Sequence, residues 1–329
     1  MTVTTNNTNE LRQSISDELA GMRLDQALAR LWPEYSRSRL KQWVDEGLVT
    51  VNSKVLRPRD KVHEGDEVVL KPQQIADDTW LAQDIAIDIV YEDDQLIVIN
   101  KADGMVVHPA AGNYQGTLVN ALLYYAPNLA TLPRAGIVHR LDKNTTGLLV
   151  IAKTLQAHKV QVAQMEQRSV KRKYVAIAQG AMVAGATIDE PIARHPVNRQ
   201  RMAVVRAGGR TGREAITHYR VRERFRCHTM IDVQLETGRT HQIRVHMAHI
   251  KYPLLGDPVY SGRARRMAGA SAELTACLDN FKRQALHAFE LELVHPQSKE
   301  MIGWQAPIPD DMLAVADALR VDDKLHSDN

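Results

Sequence analysis

One carboxylate stands out in the sequence because of its surroundings. Asp142 lies in a polar turn shortly before an apolar run over residues 148–152, and His139 and Arg140 flank it. Burying an acid without compensation is costly, so an acid held at the start of a buried strand is a candidate for chemistry. The alternative is an aspartate that caps the turn through its side chain, which is common. Spacing alone leaves these two interpretations equally open.

A second candidate segment follows the turn Gly238-Arg239. Three histidines lie close together there: His241, His246 and His249. The zinc-protease pattern needs an acid between two histidines, whereas this segment has Arg244, so we predict no metal site. We predict instead a helix that opens near Thr240, preceded by a turn whose backbone N–H groups suit an anion.

Tyr174 begins a predicted strand directly after three cations, residues 171–173. The more common case is a tyrosine at a strand edge beside a solvated basic run. The functional interpretation is a ring that stacks on a base while the cations hold phosphates. Further cations lie between Arg194 and Arg213. Because only 5% of the residues are aromatic, phosphate binding around one extruded base fits better than extended stacking.

The elements that position these residues must come from more than one domain. The chain has 329 residues, of which 44% are hydrophobic and 25% charged, as in an ordinary globular protein of about two domains. The net charge of +3 is too small to indicate a partner. Its distribution is informative, because residues 23–61 hold nine basic and five acidic side chains, whereas residues 77–94 are acidic without any Lys or Arg. A basic N-terminal module with a boundary behind it is therefore predicted.

We predict five segments along the chain. They are a disordered tail (1–15), a compact module of two helices and a small sheet (16–75), a linker (76–84), a large domain (85–312), and the end of a C-terminal helix with a charged tail (313–329). In the large domain strands outnumber helices and few alternate with them. This pattern favours an α+β fold with a central mixed or antiparallel sheet flanked by helices.

The remaining sequence features concern compartment and assembly. The two cysteines, Cys227 and Cys277, provide no disulfide framework. The N-terminal residues lack the apolar core of a signal peptide, and no apolar run approaches the ~20 residues of a membrane span. We therefore expect a cytoplasmic protein without a membrane partner, and nothing in the sequence demands more than a monomer.

Taken together, several motifs resemble those of one enzyme family, the pseudouridine synthases of the ribosomal large-subunit type. The similarity involves residues 138–147, 171–174 and 235–246, and a further match runs from Asn100-Lys101 to Leu122. Residues 21–72 resemble the α-L RNA-binding domain that is shared with a small-subunit ribosomal protein. The chain departs from the family at Ala102, where proline is usual, and at Asn144, where aspartate is frequent. Both departures concern loop geometry and neither affects an expected catalytic role.

The resemblance implies an isomerisation in which uracil is cut from its ribose, turned and rejoined through carbon 5. Asp142 would assist at ribose carbon 1, either through a covalent adduct or through a glycal route. Arg244 would pair with Asp142 and keep it ionised, since an opposite charge favours the charged form. Tyr174 would stack on the uracil and take the carbon 5 proton, and Arg140 would fill the gap left by the flipped base.

The resemblance also implies the partners of the protein. Its substrate would be large-subunit rRNA or the pre-ribosomal large subunit, with clustered uridines of the helix 69 stem-loop of 23S rRNA as targets. Neither a metal nor any other cofactor is implied. Besides Arg140, the residues expected to contact RNA are His139, Arg239, His241, Arg23, Arg37, Arg39 and Lys41. The alternative is a non-catalytic RNA-binding factor for ribosome assembly, which would have no need for Asp142, Tyr174 and Arg244 together.

Overall fold

The computed structural model describes residues 10–33, 35, 37–72, 80–109, 113–198, 201–205, 212–262 and 267–327. Contacts divide the chain into two compact units, one over residues 1–78 and one over residues 79–329. Each unit has buried apolar clusters of its own, as expected of domains that fold around separate cores.

The first unit packs two helices against a small antiparallel sheet. Its elements are β1 (Leu11–Ser14), α1 (Leu24–Leu31), α2 (Arg37–Asp45), β2 (Val49–Val51) and β3 (Glu67–Leu70). The strand order is β1-β3-β2. Leu24 and Leu28, which lie one helical turn apart, are completely buried, and Tyr35 packs edge-on against Trp43 with ring centroids 5.0 Å apart. The predicted helices and small sheet of this module are therefore present.

Strand β1 corrects the last part of the predicted disordered tail over residues 1–15, of which residues 1–9 lie outside the described residues. It pairs antiparallel with β3, with Leu11 opposite Leu70, and the next residue, Ile15, is only 2% exposed. Three of its four side chains are exposed at the edge of the sheet. An edge strand of this kind gains backbone hydrogen bonds but little apolar burial, so it has no hydrophobic periodicity by which a sequence could reveal it.

The second unit is built on a nine-stranded mixed sheet with the order β4-β5-β6-β13-β7-β12-β11-β8, and β14 pairs with β13. A separate pair of strands is formed by β9 and β10. The strands are β4 (Ile89–Glu92), β5 (Leu96–Lys101), β6 (Thr146–Ala152), β7 (Lys171–Gln179), β8 (Ala186–Asp189), β9 (Ile192–Arg194), β10 (Met202–Val204), β11 (Ile216–Arg224), β12 (His228–Leu235), β13 (Leu286–Val294) and β14 (Met301–Gln305). Strands β6 and β13 pair in parallel and the other neighbours are antiparallel, which confirms the predicted α+β class with a mixed sheet.

Helices cover both faces of this sheet. They are α3 (Leu118–Tyr125), α4 (Leu155–Glu166), α5 (Gln242–His249), α6 (Ala272–Asn280) and α7 (Asp310–Ser327). Because side chains alternate along a strand, Tyr174 and Ala176 of β7 join the apolar cluster of α3 and α5, whereas Val175 and Ile177 join that of α6 and α7. The residues of chemical interest collect on the side of α5.

Helix α7 is longer than expected, because residues 313–329 were predicted to hold the end of a helix and then a charged tail. The helix continues to Ser327, and the buried carboxylate of Asp322 accepts two hydrogen bonds from Arg226, at 2.9 and 3.1 Å. Charged residues that looked like a solvated tail are thus held in a helix by tertiary ion pairs. No helix among the residues that the structure describes is long and apolar enough to cross a membrane.

Candidate active site

Asp142 lies in the short loop that leads into β6. The N–H of Thr145 donates to the carbonyl of Asp142 at 3.0 Å, which closes the loop as a tight turn. The Thr145 hydroxyl accepts a hydrogen bond of 3.0 Å from the buried amide of Gln284. The Asp142 side chain keeps 17% of its surface exposed, so a carboxylate on a fixed backbone remains accessible.

Lys101 fixes the same loop from the end of β5. Its ammonium group donates to the carbonyls of Ala102, Met105 and Lys143 at 2.7, 3.0 and 2.9 Å, and Lys143 directly follows Asp142 in the chain. Burial lowers the pKa of Lys101 to about 8, although the nearby Asp103 and Asp142 oppose this. Three carbonyls thus compensate a buried cation and tie the Asp142 loop to the sheet. Lys101 was expected from the sequence only as part of a motif, without this structural role.

Arg244 of α5 donates from Nη1 to Oδ2 of Asp142 at 2.8 Å. The predicted pairing of these two residues is confirmed. Oδ1 of Asp142 accepts no hydrogen bond from the residues that the structure describes, so one carboxylate oxygen is held and the other is available. The Arg244 side chain is only 6% exposed.

Asp257 holds the other edge of the Arg244 guanidinium. Its carboxylate accepts from Nε at 2.7 Å and from Nη2 at 2.9 Å, and its Oδ1 also accepts from the backbone of Val259 and Tyr260. Burial opposes the charge on Arg244, but the hydrogen bonds and the attraction of Asp257 and Asp142 outweigh it and raise the pKa of Arg244. A two-pronged pair of this kind fixes the plane of the guanidinium.

Asp257 was not among the residues predicted from the sequence. It stands in the turn Gly256-Asp257-Pro258, where an acid has an ordinary structural explanation. The one signal that could have pointed to it is that a buried arginine facing a reactive acid needs a second anion to hold it. Sequence alone does not show which acid that is.

His241 and Tyr260 complete the wall around this pair. His241 adopts a left-handed backbone (φ 57°) directly before α5, and its Nδ1 shares a hydrogen bond of 2.9 Å with the Tyr260 hydroxyl. Its Nε2 lies 3.9 Å from Oδ2 of Asp142. Burial lowers the pKa of His241, despite the opposing effect of Asp142. The structure thus brings one predicted RNA-contacting residue, His241, to the edge of the predicted catalytic carboxylate.

Tyr174 lies on the same face of the sheet and is 5% exposed. Burial raises the pKa of its phenol; the negative charge of Asp142 adds to this rise, whereas Arg172 opposes it. The ring is therefore a protonated, largely apolar surface at neutral pH. This favours stacking on a base over the uptake of the carbon 5 proton, which would need the phenolate form.

His139 and Arg140 precede the loop and differ in their surroundings. His139 accepts a hydrogen bond of 3.1 Å at Nε2 from the N–H of Val150, and burial lowers its pKa to about 3. It therefore offers no positive charge to an RNA phosphate at neutral pH. Arg140 is exposed and makes no hydrogen bond or ion pair with the part of the chain that the structure describes.

The other predicted RNA contacts are distributed over both units. Arg239 donates from Nε to the carbonyl of Glu214 at 2.8 Å, beside the positive charges of Arg213 and Arg168. The remaining four lie in the first unit, where Arg23 pairs with Asp25, Arg39 is 5.8 Å from the ring centre of Trp43, and Arg37 and Lys41 are exposed on α2.

The arrangement is suited to acid–base or nucleophilic chemistry by one carboxylate. It combines a partly exposed acid, a buried guanidinium that orients it, and a protonated aromatic ring within electrostatic reach. Among the described residues there is no group of three or more His, Cys, Asp or Glu side chains that could hold a metal ion.

Comparisons with known proteins agree with this geometry. A family model described as RNA pseudouridylate synthase matches residues 95–249, and an S4 domain model matches residues 22–68. The ribosomal large subunit pseudouridine synthase D of Pseudomonas aeruginosa is 58% identical over 305 residues, which cover 93% of this chain and 94% of that protein. The protein of the same name from Escherichia coli K12 is 51% identical over 320 residues, or 97% of each chain.

A solved structure shows the same similarity. Human RNA pseudouridylate synthase domain containing 4 superposes with a TM-score of 0.56 at 28% sequence identity, and the match covers 71% of this chain and 93% of the human one.

Proposed function

The chain belongs to the RNA pseudouridylate synthase family, and on this premise we propose that its substrate is uridine in large-subunit ribosomal RNA. The enzyme class, an isomerase that forms pseudouridine in RNA, follows from the family. The substrate rests on the names of two relatives that match almost the entire chain, and on the S4 domain at residues 22–68. Modification of such RNA would place the protein in the cytoplasm.

The contact between Asp142 and Arg244 carries the catalytic part of the proposal. Arg244 holds Oδ2, so Oδ1 faces the substrate and assists the break between ribose carbon 1 and uracil N1. The electron pair of that bond leaves with the uracil. The ring then turns, carbon 5 bonds to ribose carbon 1, and the proton released from carbon 5 balances the one gained at N1. A covalent adduct and a glycal route both require this carboxylate.

Tyr174 and Arg140 serve the flipped nucleotide in this proposal. Tyr174 supplies a protonated ring on which the uracil stacks. Arg140 is exposed and forms no ion pair with the described residues, and it inserts where the base has left the helix. Extrusion of the base costs a few kcal/mol, which contacts to the RNA must offset. For the site of modification we propose the clustered uridines of the helix 69 stem-loop, the target implied by the sequence resemblance.

Replacement of the carboxylate tests the proposal. Asp142→Asn should abolish pseudouridine formation in large-subunit rRNA and leave RNA affinity within a few-fold, since the amide keeps the shape of the side chain. Asp279→Asn, an exposed acid on α6, is the matched control and should modify RNA normally. Pseudouridine mapping of rRNA from cells that carry each variant as the only copy gives the answer. An unchanged map with Asp142→Asn would refute the assignment of this residue.

A further inference from the structure

The three cations before Tyr174 separate onto the two faces of β7. Lys171 and Lys173 point to one face and lie opposite Glu292 and Glu290 of β13. Lys171 pairs with Glu292 at 2.7 Å, and Lys173 forms an ion pair with Glu290. Arg172 points to the other face, which it shares with Tyr174. The strand thus neutralises two of its three cations and directs the third towards the candidate active site.

Arg172 is buried without a compensating anion. The residue is 8% exposed, and its hydrogen bond is a long one of 3.3 Å from Nη2 to the carbonyl of Glu236. Its Nε atom is enclosed and has no hydrogen-bond partner among the described residues. No carboxylate lies within ion-pair distance among the residues that the structure describes. An uncompensated cation in such a place is costly to the fold and needs a reason outside the fold.

Two other arginines show what this protein does with a buried guanidinium. Besides Arg172, the described residues include two other buried arginines, Arg244 and Arg283, and each is 5% exposed. Both form ion pairs with carboxylates. Arg244 has Asp142 and Asp257, and Arg283 is held by both oxygens of Asp311 at 2.7 Å. Arg172 departs from this rule, which indicates that its anion comes from a ligand.

The surroundings of Arg172 identify the kind of ligand. Its positive charge acts on both His139 and Tyr174, which places the guanidinium beside the predicted uracil site. Its Nη1 lies against the turn at Gly238, since a Cβ atom added there would be 2.8 Å away. Residues two apart on a strand are separated by about 7 Å along the chain, a distance that one nucleotide can span. A guanidinium is well suited to a phosphate because it can donate two parallel hydrogen bonds.

We propose that Arg172 is a binding residue for a backbone phosphate of the RNA, next to the uridine that contacts Tyr174. This rests on the proposed function in one respect, that the ligand is RNA. The phosphate supplies the anion that the fold omits, so the guanidinium is compensated when substrate is bound. Lys171 and Lys173 contribute less, because their glutamates already neutralise them.

Equilibrium binding over a series of salt concentrations tests the proposal. The probes are a helix 69 stem-loop transcript and an unrelated single-stranded RNA, each with full-length protein. Arg172→Met should weaken binding at least tenfold near 0.1 M salt and lower the salt slope by about 0.7, the value for one phosphate contact on a single strand. Lys171→Met, on the opposite face of the same strand, is the matched control and should change affinity less than twofold. Arg172→Lys should restore the slope, because the charge is retained.

Thermal unfolding of the free protein provides the second readout. Arg172→Met should not lower the melting temperature, because in the free protein Arg172 forms no ion pair with the described residues that the substitution would remove. A normal salt slope in Arg172→Met would overturn the proposal, as would a drop in kcat with unchanged affinity, which would mean that the guanidinium acts on the uracil. If wild-type protein fails to modify the large-subunit transcript, the proposed substrate is wrong, but the slope measured with the unrelated RNA still decides the role of Arg172.

Discussion

At the scale of single residues, the site is a chain of three charged groups in which each one fixes the next. Asp257 accepts two backbone N–H groups and the Nε and Nη2 groups on one edge of the Arg244 guanidinium, so it is fully satisfied. Arg244 donates to Asp142 from its remaining nitrogen, Nη1. The position of the Asp142 carboxylate is therefore set, through Arg244, by a second acid that does not contact it directly. Asp257 is a positioning residue in this sense.

Asp257→Asn should lower kcat by about 100-fold, because a misplacement on the order of 1 Å costs about that much in rate. The KM for RNA should remain within a few-fold, since the amide does not contact the substrate. Steady-state pseudouridine formation separates the two constants. Asp322→Asn is the control, because it disrupts another buried two-pronged ion pair, which Asp322 of α7 forms with Arg226. Both variants should lose stability, but only the one at position 257 should lose kcat; equal effects on kcat would contradict the positioning role.

At the scale of elements, the parallel pairing of β6 with β13 determines where the Asp142 loop lies. Gly147 lies in this contact, opposite Ala288, and has a backbone φ of 111°. A Cβ atom there would be 2.2 Å from the carbonyl oxygen of Ala288. The close approach of the two strands therefore depends on the absence of a side chain at Gly147. Asp142, in the loop that Lys101 holds, lies five residues before this glycine.

Gly147→Ala should destabilise the protein by about 2–4 kcal/mol, because it combines overpacking with an unfavourable backbone conformation. Urea unfolding of the full chain measures this change. Gly116→Ala provides the comparison: its φ of 70° is also positive, but no atom lies within 4 Å of the added Cβ. This variant should lower the free energy of unfolding by about 1 kcal/mol, because only the unfavourable backbone conformation contributes. Similar losses in the two variants would show that the contact with Ala288 is not the cause.

At the scale of the whole molecule, the second unit buries several imidazoles in neutral form. Burial lowers the pKa of His139 to about 3, and those of His108, His228 and His287 to about 4. An unfolded histidine has a pKa of about 6.5. Between the folded and the unfolded pKa, the unfolded chain binds protons that the folded chain does not. The free energy of unfolding therefore falls as the pH drops below about 6.5, and it stops falling once the pH is below the folded pKa. The fold is therefore sensitive to mild acid.

His228, which is 5% exposed with an unpartnered Nδ1, allows a direct test. From pH 7.5 to 5.0 this one group should remove about 2 kcal/mol of stability. Over the same pH range, the free energy of unfolding of His228→Gln should therefore fall by about 2 kcal/mol less than that of wild type. Urea unfolding at each pH measures this difference. His249→Gln, at an exposed position of the same unit, should behave like wild type. An equal acid sensitivity of the variant at position 228 and wild type would exclude His228 as a contributor.

Much of the architecture could be predicted because its signals are local. Helical spacing of Leu24 and Leu28, the apolar run that became β6, and the shift from basic to acidic composition each depend on neighbouring residues. The motifs around Asp142, Tyr174 and Arg244 were dense enough to indicate the family. Failures came where local signals were absent or misleading, as in edge strand β1 and in the charged but helical end of α7.

The sequence by itself determined the family, the α+β class and three members of the candidate site, Asp142, Tyr174 and Arg244. Only the tertiary structure decided how those residues are paired. Arg244 meets Asp142 across 102 positions and Asp257 across 13, and the choice between acids depends on how a loop, a helix and a turn pack together. The same is true of the cations before Tyr174, because strand register assigned two of them to glutamates and left Arg172 without one. Periodicity is a property of neighbours in the chain, whereas charge compensation is a property of neighbours in space.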